Sequence, residues 1–376
     1  MVPADLNRAL ARVNLAAIER NTTRMTRALA NGAALCAIVK SDGYGHGAVQ
    51  AGRAALAGGA SWLGVATAGE AHALREAGID ARLLVMGALT APEIALAIDA
   101  DADVVVWREA SVGALVAAAG PTPVRVHVKL DTGMGRLGTR SVDEARRVVD
   151  AAAAAPELEL AGVMTHFATA DELGDAFFHE QLESFVPFAE EVKRAHPQAI
   201  AHAANSAAVL RDPASHLDLA RVGIAIYGMD PFQRDPADHG LEPALALGSY
   251  VAEVKAAAPG QSAGYGRAWI AAEDTAVATL PIGYGDGVRR ALSNNAEVLI
   301  GAVRHPLVGT VSMDNITVDV GASAGAKPYG EAVLIGEQGA ERILAEEWAR
   351  RLDTINYEIT CGLTQRVQRE YHRDGV

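Results

Sequence analysis

The sequence predicts an α/β protein with an N-terminal (β/α)8 TIM barrel over residues 1–240 and a C-terminal, mostly β domain over residues 241–376. Between residues 33 and 226, short β-branched or apolar runs alternate with alanine-rich stretches of helical period, which is typical of repeated βα units. Beyond Gly240 the runs alternate between apolar and polar residues and are separated by glycine and proline turns, which favours strands.

Eight strand candidates make up the predicted barrel, and eight βα units are the number that a (β/α)8 barrel requires. The candidates are residues 34–39, 62–66, 82–86, 104–107, 124–130, 158–164, 200–203 and 219–226. Amphipathic helices are predicted at residues 68–77, 109–119, 142–154 and 175–195.

The fifth strand has one apolar and one polar face. Its valines fall on one side, whereas Arg125, His127, Lys129 and Asp131 fall on the other, because successive strand residues point in opposite directions. The valines should meet the helices, so the polar face should point into the barrel. Polar groups are costly in a barrel interior, which favours a functional role for this face.

In the second domain, strands are predicted at residues 250–255, 276–280, 297–300, 303–310, 316–320 and 332–335. A helix is predicted around residues 341–352 and a last strand near residues 360–371. The proline-rich segment 230–240 is the predicted linker.

Composition narrows the class of protein. Half of the residues are hydrophobic, yet no apolar run reaches membrane-spanning length. The first residues lack a basic segment followed by an apolar stretch, so no secretory signal is expected and the cytoplasm is the default location. Cys36 and Cys361 are expected to be buried hydrophobes rather than a disulfide. A net charge of −13 without a basic stripe argues against nucleic acid as a partner.

The chemistry is expected at the C-terminal ends of the strands, where barrel enzymes carry their reacting groups. Lys40 ends an apolar strand and precedes a glycine-broken loop. Such a lysine can form an imine with an aldehyde cofactor, although a lone lysine there would more often be an ordinary surface residue. Other residues with potential chemical roles also lie at strand ends. Because these ends converge on one rim of a barrel, the residues favour a functional site there: Met86, Lys129 to Arg136, His166, His202 to Ser206 and Arg221.

Ser206 and the pair Gly223 and Ile224 lie in the loops after the seventh and eighth strands, where barrels commonly bind phosphate. Ser206 could equally be a helix cap, a reading that is compatible with a phosphate contact. A lysine imine and a phosphate cradle together predict pyridoxal 5'-phosphate. A metal is not expected, because no His-x-His, His-Glu-x-x-His or Cys-x-x-Cys occurs. No Gly-x-Ser-x-Gly elbow supports a nucleophilic serine.

Four motifs, in this order and across both predicted domains, resemble the bacterial alanine racemase family. They are AIVKSDGYGHG at residues 37–47, KLDTGMGRLG at 129–138, GYGR at 264–267 and VSMD at 311–314. The resemblance implies a barrel that binds pyridoxal phosphate. It also implies a head-to-tail homodimer in which the β domain completes the neighbour's active site, with L- and D-alanine as substrates.

By resemblance, Lys40 forms the imine with the cofactor and then acts as one of two bases on the α-proton, and Tyr265 of the partner subunit is the other base. Racemisation needs proton removal from one face of a planar carbanion and delivery to the other, so two groups must flank it. Arg221 is expected to face the pyridine nitrogen and to connect through His166 toward Tyr265, with His202 supporting Arg221.

The remaining assignments also rest on the resemblance. Arg136 is expected to reach the cofactor oxygen and the substrate, and Lys129 beside it to be carbamylated; the alternative is an ordinary lysine paired with Asp131. Phosphate-binding positions match Tyr44, Ser206, Gly223 and Ile224, and Met86 matches an apolar position near the cofactor. In the second domain, the substrate-binding positions match Met313, Asp314 and Tyr284. For Tyr284, a structural role in its glycine-rich turn is nearly as well supported.

One position departs from the family pattern: Gln365 stands where many members have a tyrosine that crowds the substrate side chain. Serine or another small amino acid is therefore less firmly excluded. The sequence thus predicts an alanine racemase that supplies D-alanine for peptidoglycan, with a broader small amino-acid racemase as the alternative. A non-catalytic pyridoxal phosphate carrier would not need Tyr265 or Met313, and a decarboxylase of basic amino acids would favour glutamate where this chain has Arg221.

Overall fold

The computed structural model describes residues 7–321 and 326–374, which form two compact units. One unit comprises residues 18–226, and the other comprises residues 7–17 together with the described residues from 227 onward. The segment 230–240, predicted as a linker, lies inside the second unit. The first six residues, part of the start in which no secretory signal is predicted, lie outside the described residues.

The unit of residues 18–226 is a (β/α)8 barrel, which confirms the predicted fold class. Its eight strands are Ala34–Ile38, Trp62–Val65, Arg82–Val85, Ala102–Val106, Val124–Lys129, Leu158–Met164, Ile200–His202 and Leu219–Val222. Neighbours along the chain pair in parallel, and the last strand also pairs with the first. Backbone hydrogen bonds from Asp218 N to Ala201 O and from Arg221 N to Ala204 O link the seventh and eighth strands and complete the ring.

The helices follow the strands in the expected alternation. They are Leu15–Ala28, most of which falls in this unit, and Ala48–Ala57, Ala68–Glu76, Ala91–Asp99, Glu109–Ala118, Val142–Ala154, Phe177–Ala195 and Ser206–Arg211. The helix Val142–Ala154 shows why these segments are helical. Ser141 Oγ accepts a hydrogen bond from Glu144 N at its start, a cap that stabilises a helix by about 1 kcal/mol. Its buried residues recur at spacings of three and four, as one helix face requires.

The polar face of the strand Val124–Lys129 points into the barrel, as predicted. His127 lies 2.9 Å from His202, although the strand Leu158–Met164 separates their two strands in the sheet. Only side chains that project into the interior can meet in this way. The eighth strand is shorter than predicted, since the chain turns into a 3-10 helix at Ile224–Tyr227.

The second unit is mostly β, as predicted. Its strands are Leu10–Asn14, Leu245–Tyr250, Glu253–Ala257, Ser262–Ala263, Trp269–Ile270, Thr275–Leu280, Glu297–Ile300, Val303–Val308, Ile316–Asp319, Glu331–Gln338, Glu341–Ile343 and Gln368–His372. Two helices, Ala345–Arg351 and Asn356–Cys361, lie near its end. No helix among residues 7–321 and 326–374 combines the length and apolarity needed to cross a bilayer.

Three predictions for this unit were wrong in detail. The predicted strand 250–255 is two strands, because the first ends at Tyr250 and the next begins at Glu253. The predicted helix 341–352 begins as the strand Glu341–Ile343, which forms a hairpin with Glu331–Gln338. The predicted last strand 360–371 begins only at Gln368, because residues 360 and 361 end a helix whose Ile359 and Thr360 are buried.

Candidate active site

Lys40 lies two residues beyond the end of the first barrel strand and opens an unusual turn. Ser41, Asp42 and Tyr44 all have left-handed backbone angles, with φ of 53°, 52° and 54°. Such angles cost roughly 1–2 kcal/mol for each residue that carries a side chain. The turn is held from both sides: Ser41 N donates to Glu70 Oε1 at 2.7 Å, and Ala48 N donates to Asp42 Oδ1 at 2.9 Å. The fold therefore holds Lys40 at the start of a strained but anchored loop, an arrangement that marks functional sites.

Tyr44, Ser206 and Gly223 meet beside this turn, as the sequence predicts for a phosphate cradle. Ser206 Oγ accepts hydrogen bonds from Gly223 N at 3.0 Å and Ala225 N at 3.4 Å. A Cβ atom at Gly223 would lie 2.5 Å from the Tyr44 hydroxyl oxygen, so only glycine leaves the room that this hydroxyl occupies. Ile224 continues the same loop and is fully buried.

Arg221 contacts four residues at the C-terminal end of the barrel, and we call this arrangement the Arg221 hub. Its Nη1 donates to His202 Nδ1 at 2.9 Å, and its Nη2 contacts His166 Nδ1 at 3.2 Å. The same nitrogen donates to the carbonyl oxygens of Thr165 at 2.8 Å and Ala203 at 3.0 Å. Because these partners are acceptors on two segments, residues 165–166 and 202–203, the guanidinium is fixed in one orientation.

Several cations share this region and shape one another's pKa. Burial lowers the pKa of Arg221 to about 10, so its guanidinium remains charged at neutral pH. Burial and the charge of Arg221 hold the pKa of His166 and of His202 well below the usual range. Burial, Arg221 and Arg136 lower the pKa of Lys129 to about 8. Both histidines are therefore neutral, and Lys129 is partly uncharged near neutral pH.

Lys129 and Asp131 are only two residues apart, but the carboxylate of Asp131 has other partners. It accepts hydrogen bonds from Gly133 N at 3.1 Å and Gly135 N at 3.0 Å, and Arg140 Nε lies 3.5 Å away. Its nearby charge still opposes the lowering of the Lys129 pKa. Asp131 thus shapes the loop that carries Arg136, which is exposed.

Met86 follows the third strand, as predicted. It is half-buried, and its Cε atom would lie 3.5 Å from a Cβ atom placed at Gly64. Its apolar side chain therefore packs against a strand that neighbours its own.

The predicted substrate residues of the second unit lie on joined loops. Tyr284 N donates to Ser312 O at 3.0 Å, and Gly285 N donates to Met313 O at 2.9 Å. Asp314 Oδ1 accepts from Arg366 Nη2 at 2.6 Å. The structure thus brings Tyr284, Met313 and Asp314 together, with Arg366 as a partner that the sequence analysis did not single out.

Tyr265 stands on a neighbouring turn of this unit. Its carbonyl oxygen accepts from Thr310 Oγ1 at 2.9 Å, while 73% of the residue is exposed. The preceding Gly264 has φ of 76°, and a Cβ atom there would lie 2.9 Å from Thr310 N. The backbone of Tyr265 is therefore anchored while its phenol is presented outward.

The barrel also buries Asp103, which was not predicted, and His127, which was predicted only as part of a functional strand face. Asp103 interrupts the valine-rich strand Ala102–Val106, and His127 lies on the polar face noted above. Both are fully buried and hydrogen-bonded to each other. The sequence offered one signal for Asp103, a charged residue inside an apolar strand. The residues that Asp103 contacts lie on other strands, so the sequence could not show them.

A (β/α)8 barrel with a cationic cluster at its C-terminal rim, followed by a mostly β unit, defines the class of barrel enzymes that carry an additional domain. The family model of the alanine racemase N-terminal domain matches residues 13–231, and that of the C-terminal domain matches residues 244–371. The chain belongs to the alanine racemase family.

Individual relatives are similar to this chain along nearly its whole length. An alanine racemase of Beutenbergia cavernae is 42% identical over 371 residues, with 96% of this chain and 97% of the relative covered. The crystal structure of alanine racemase from E. faecalis has a TM-score of 0.92 and 34% identity, covering 99% of this chain and 100% of the other. The Bacillus anthracis enzyme with bound L-Ala-P has a TM-score of 0.90 and 34% identity, covering 100% and 97%.

Proposed function

We propose that this chain is an alanine racemase, a pyridoxal phosphate-dependent isomerase that interconverts L- and D-alanine. The observation that carries the proposal is the rim of the barrel, where the anchored Lys40 turn, the cradle around Gly223 and the Arg221 hub occur in one unit. The full-length similarity to alanine racemases supports the choice of substrate.

The residues at the rim fit this cofactor. The hydroxyl groups of Ser206 and Tyr44 converge at Gly223. Because the Ser206 Oγ atom accepts from Gly223 N and Ala225 N, its own O–H can be donated to a phosphate oxygen. Pyridoxal phosphate would be held by these residues with Ile224, Met86, Arg221 and Lys40, and it supplies an electron sink that makes the α-proton of a bound amino acid acidic. Because Arg221 keeps its proton, it would leave the pyridine nitrogen of the cofactor unprotonated, which would limit that sink.

The chain's own residues would then move the proton. The Lys40 amine would take or give a proton on one face of the substrate, and the Tyr265 phenol of the partner subunit would do so on the other. His166 is neutral and receives a hydrogen bond from Arg221, so it can transmit the positive field of Arg221 toward the phenol. Such a field would stabilise the phenolate that forms when the phenol gives up its proton.

A homodimer with shared active sites is part of the proposal. Tyr265, Tyr284 and Met313 are 73%, 43% and 51% exposed, and hydrogen bonds join their loops through residues 310–313. A group of exposed large side chains, unlike a single one, indicates an interaction site. In the proposed dimer these residues, with Asp314, complete the substrate site of the neighbouring barrel. Arg136 would contact the substrate from the barrel side. A cytoplasmic location stays a prediction from the sequence, and the supply of D-alanine for peptidoglycan stays a prediction from the family resemblance.

Carbamylation of Lys129 is a second part of the proposal. Its buried amine has a pKa of about 8, and only the neutral amine can attack carbon dioxide, forming an N–C bond and releasing one proton. The product is an anion among Arg136, Arg221 and Lys40, so it would relieve the repulsion that lowers the Lys129 pKa.

The carbamate should be visible by ¹³C NMR with labelled carbon dioxide. At fixed dissolved carbon dioxide, its signal should grow from about pH 7 to about pH 9, because the neutral fraction of an amine rises through its pKa. Lys129→Ala should lack the signal, whereas Lys193→Ala, which removes a lysine paired with Asp218, should retain it. A signal absent from the wild-type protein across this range would reject carbamylation.

The test of the proposed function is a chiral assay of the purified holoenzyme with L-alanine, D-alanine, L-serine and D-serine. We expect each alanine enantiomer to approach the racemic mixture, because the two enantiomers have the same free energy in water. Gln365 in place of a tyrosine predicts measurable serine racemisation, with the smaller kcat/KM, since an amide excludes a hydroxymethyl group less strictly. Absence of turnover with all four substrates in protein that binds the cofactor would favour the carrier alternative.

A further inference from the structure

A line of hydrogen bonds runs through the barrel interior from Arg221 toward the N-terminal ends of the strands. Arg221 Nη1 lies 2.9 Å from His202 Nδ1, and His202 Nε2 lies 2.9 Å from His127 Nδ1. His127 Nε2 lies 2.9 Å from Asp103 Oδ2. All four residues are buried, with Arg221 only 3% exposed and the others 0%. We name Asp103, His127, His202 and Arg221 the barrel relay.

The barrel relay has a definite direction. A guanidinium can only donate hydrogen bonds and a carboxylate can only accept them. Arg221 must therefore donate to His202 Nδ1, which leaves the proton of the neutral His202 on Nε2. His202 then donates to His127 Nδ1, and His127 donates from Nε2 to Asp103. Both imidazoles are thus required to be the same tautomer, protonated on Nε2.

The carboxylate of Asp103 is held ionised at the far end. Arg82 Nη2 donates to Oδ2 at 2.7 Å, and Arg125 Nε donates to Oδ1 at 2.6 Å. Burial opposes the charge, but the hydrogen bonds from His127, Arg82 and Arg125 outweigh it and lower the pKa of Asp103 to about 2. The guanidinium of Arg82 also stacks 4.0 Å over the ring of Trp62, which holds it toward the carboxylate.

The neighbouring strand leaves room for this contact. Gly162 pairs with His127 in the sheet, and a Cβ atom at Gly162 would lie 2.6 Å from His127 Nδ1. Any larger residue would displace the imidazole from His202. A column of polar groups is also costly where barrels usually pack branched apolar side chains, so its complete satisfaction indicates a role beyond packing.

We propose that Asp103 and His127 are positioning residues of the active site, which fix the tautomer of His202 and through it the orientation of Arg221. The effect on the reaction rests on the proposed function, whereas the order of hydrogen bonds can be tested without it. A neutral His202 is necessary for its Nδ1 to accept from Arg221, and burial with the charge of Arg221 keeps His202 neutral. Asp103 thus acts on the rim from the opposite end of the barrel.

Asp103→Asn should invert the barrel relay. An amide nitrogen at the Oδ1 position would face Arg82 Nε and Arg125 Nε, whereas at the Oδ2 position it would face Arg82 Nε, Arg82 Nη2 and His127 Nε2. The second arrangement is the better one, because it displaces only Arg82, whose side chain is 36% exposed against 19% for Arg125. It obliges His127 to accept at Nε2. His127 must then donate from Nδ1, so His202 would carry its proton on Nδ1 and face Arg221 with a donor.

The imidazole ¹⁵N NMR spectrum of the holoenzyme tests this inversion. We expect His127 and His202 to be protonated on Nε2 in the wild-type protein and on Nδ1 in Asp103→Asn. His216 is an internal control, since its Nδ1 accepts from Ala30 N and its Nε2 faces Val209 O, and its tautomer should not change. If His127 and His202 keep the Nε2 proton in Asp103→Asn, the barrel relay is overturned.

Kinetics supply the second readout. Asp103→Asn should lower kcat for alanine by roughly 10- to 100-fold, the usual effect of losing an outer partner of a site, with a smaller change in KM. Asp218→Asn removes another carboxylate paired with a cation, Lys193, and should leave kcat near the wild-type value. Inverted tautomers with an unchanged kcat would reject the positioning role. Wild-type protein without racemase activity but with these tautomers would reject only the proposed function.

A second pair of variants covers the case in which Asp103→Asn does not fold. His127→Gln retains an acceptor for His202 and a donor for Asp103 on one planar group, whereas His127→Leu removes both. We expect the His202 tautomer and most of the activity to persist in His127→Gln and to be lost in His127→Leu. Equal behaviour of the two variants in both readouts would overturn the proposal.

Discussion

Lys40→Ala should lower kcat/KM for alanine racemisation by at least about 10⁴-fold, the upper range for a single acid–base group. The substitution removes both the amine that would attach the cofactor and one of the two proposed bases. The visible absorbance of the holoenzyme should change at the same time, because the covalent link to the protein is lost. Steady-state kinetics and an absorbance spectrum of the purified variant measure both effects.

The loss should be specific to this amine rather than a result of misfolding. Lys40 begins its turn at the C-terminal end of a strand, and the hydrogen bonds that anchor the turn come from Ser41 and Asp42. Lys193→Ala is a matched control, since Lys193 pairs with Asp218 away from the rim turn, and it should retain the wild-type spectrum. A Lys40→Ala protein that racemises alanine at the wild-type rate would reject the mechanism.

Tyr265→Phe should lower kcat for racemisation by about 10³-fold, within the range for removal of one acid–base group. The change deletes a single oxygen from a residue that is 73% exposed in its own chain, so the fold should not be affected. Exchange of the α-hydrogen with solvent should be lost mainly when the reaction starts from L-alanine, while Lys40 still serves the other face. Equal loss of exchange from both enantiomers would contradict the assignment of faces.

Mixed dimers extend this prediction to the proposed sharing of active sites. A dimer of one Lys40→Ala chain and one Tyr265→Phe chain would contain one intact site if each barrel uses its partner's tyrosine. Random reassociation should then recover roughly a quarter of the wild-type activity, as the symmetry of a two-site dimer requires. If each active site were instead built within a single chain, the mixed dimers would recover no activity. Tyr329→Phe serves as the control variant, because it alters another exposed tyrosine of the second, mostly β unit.

The barrel elements were predictable because their signals are local. The strand Leu158–Met164 and the helix Val142–Ala154 have the predicted bounds, since a short apolar run and a capped periodic segment depend on neighbouring residues. The strand Leu10–Asn14 was missed. It forms by pairing with Leu245–Tyr250 and Gln368–His372, and contacts so distant in sequence leave little trace in five residues.

The candidate active site was likewise only partly predictable from the sequence. Lys40, Ser206 and Arg221 could be proposed from their places at strand ends, because parallel strands bring those ends to one rim. The role of Asp103 could not, since it depends on a charge that meets His127 and two arginines from neighbouring strands.

The sequence by itself determined the order of barrel units, the family motifs and the residue types available for acid–base chemistry. The tertiary structure alone decided which of the buried polar groups meet, which tautomer each imidazole must adopt, and how far the pKa of Lys129 falls. The physical reason is that hydrogen-bond direction and desolvation depend on what surrounds a side chain in space, whereas periodicity and capping depend on its neighbours along the chain.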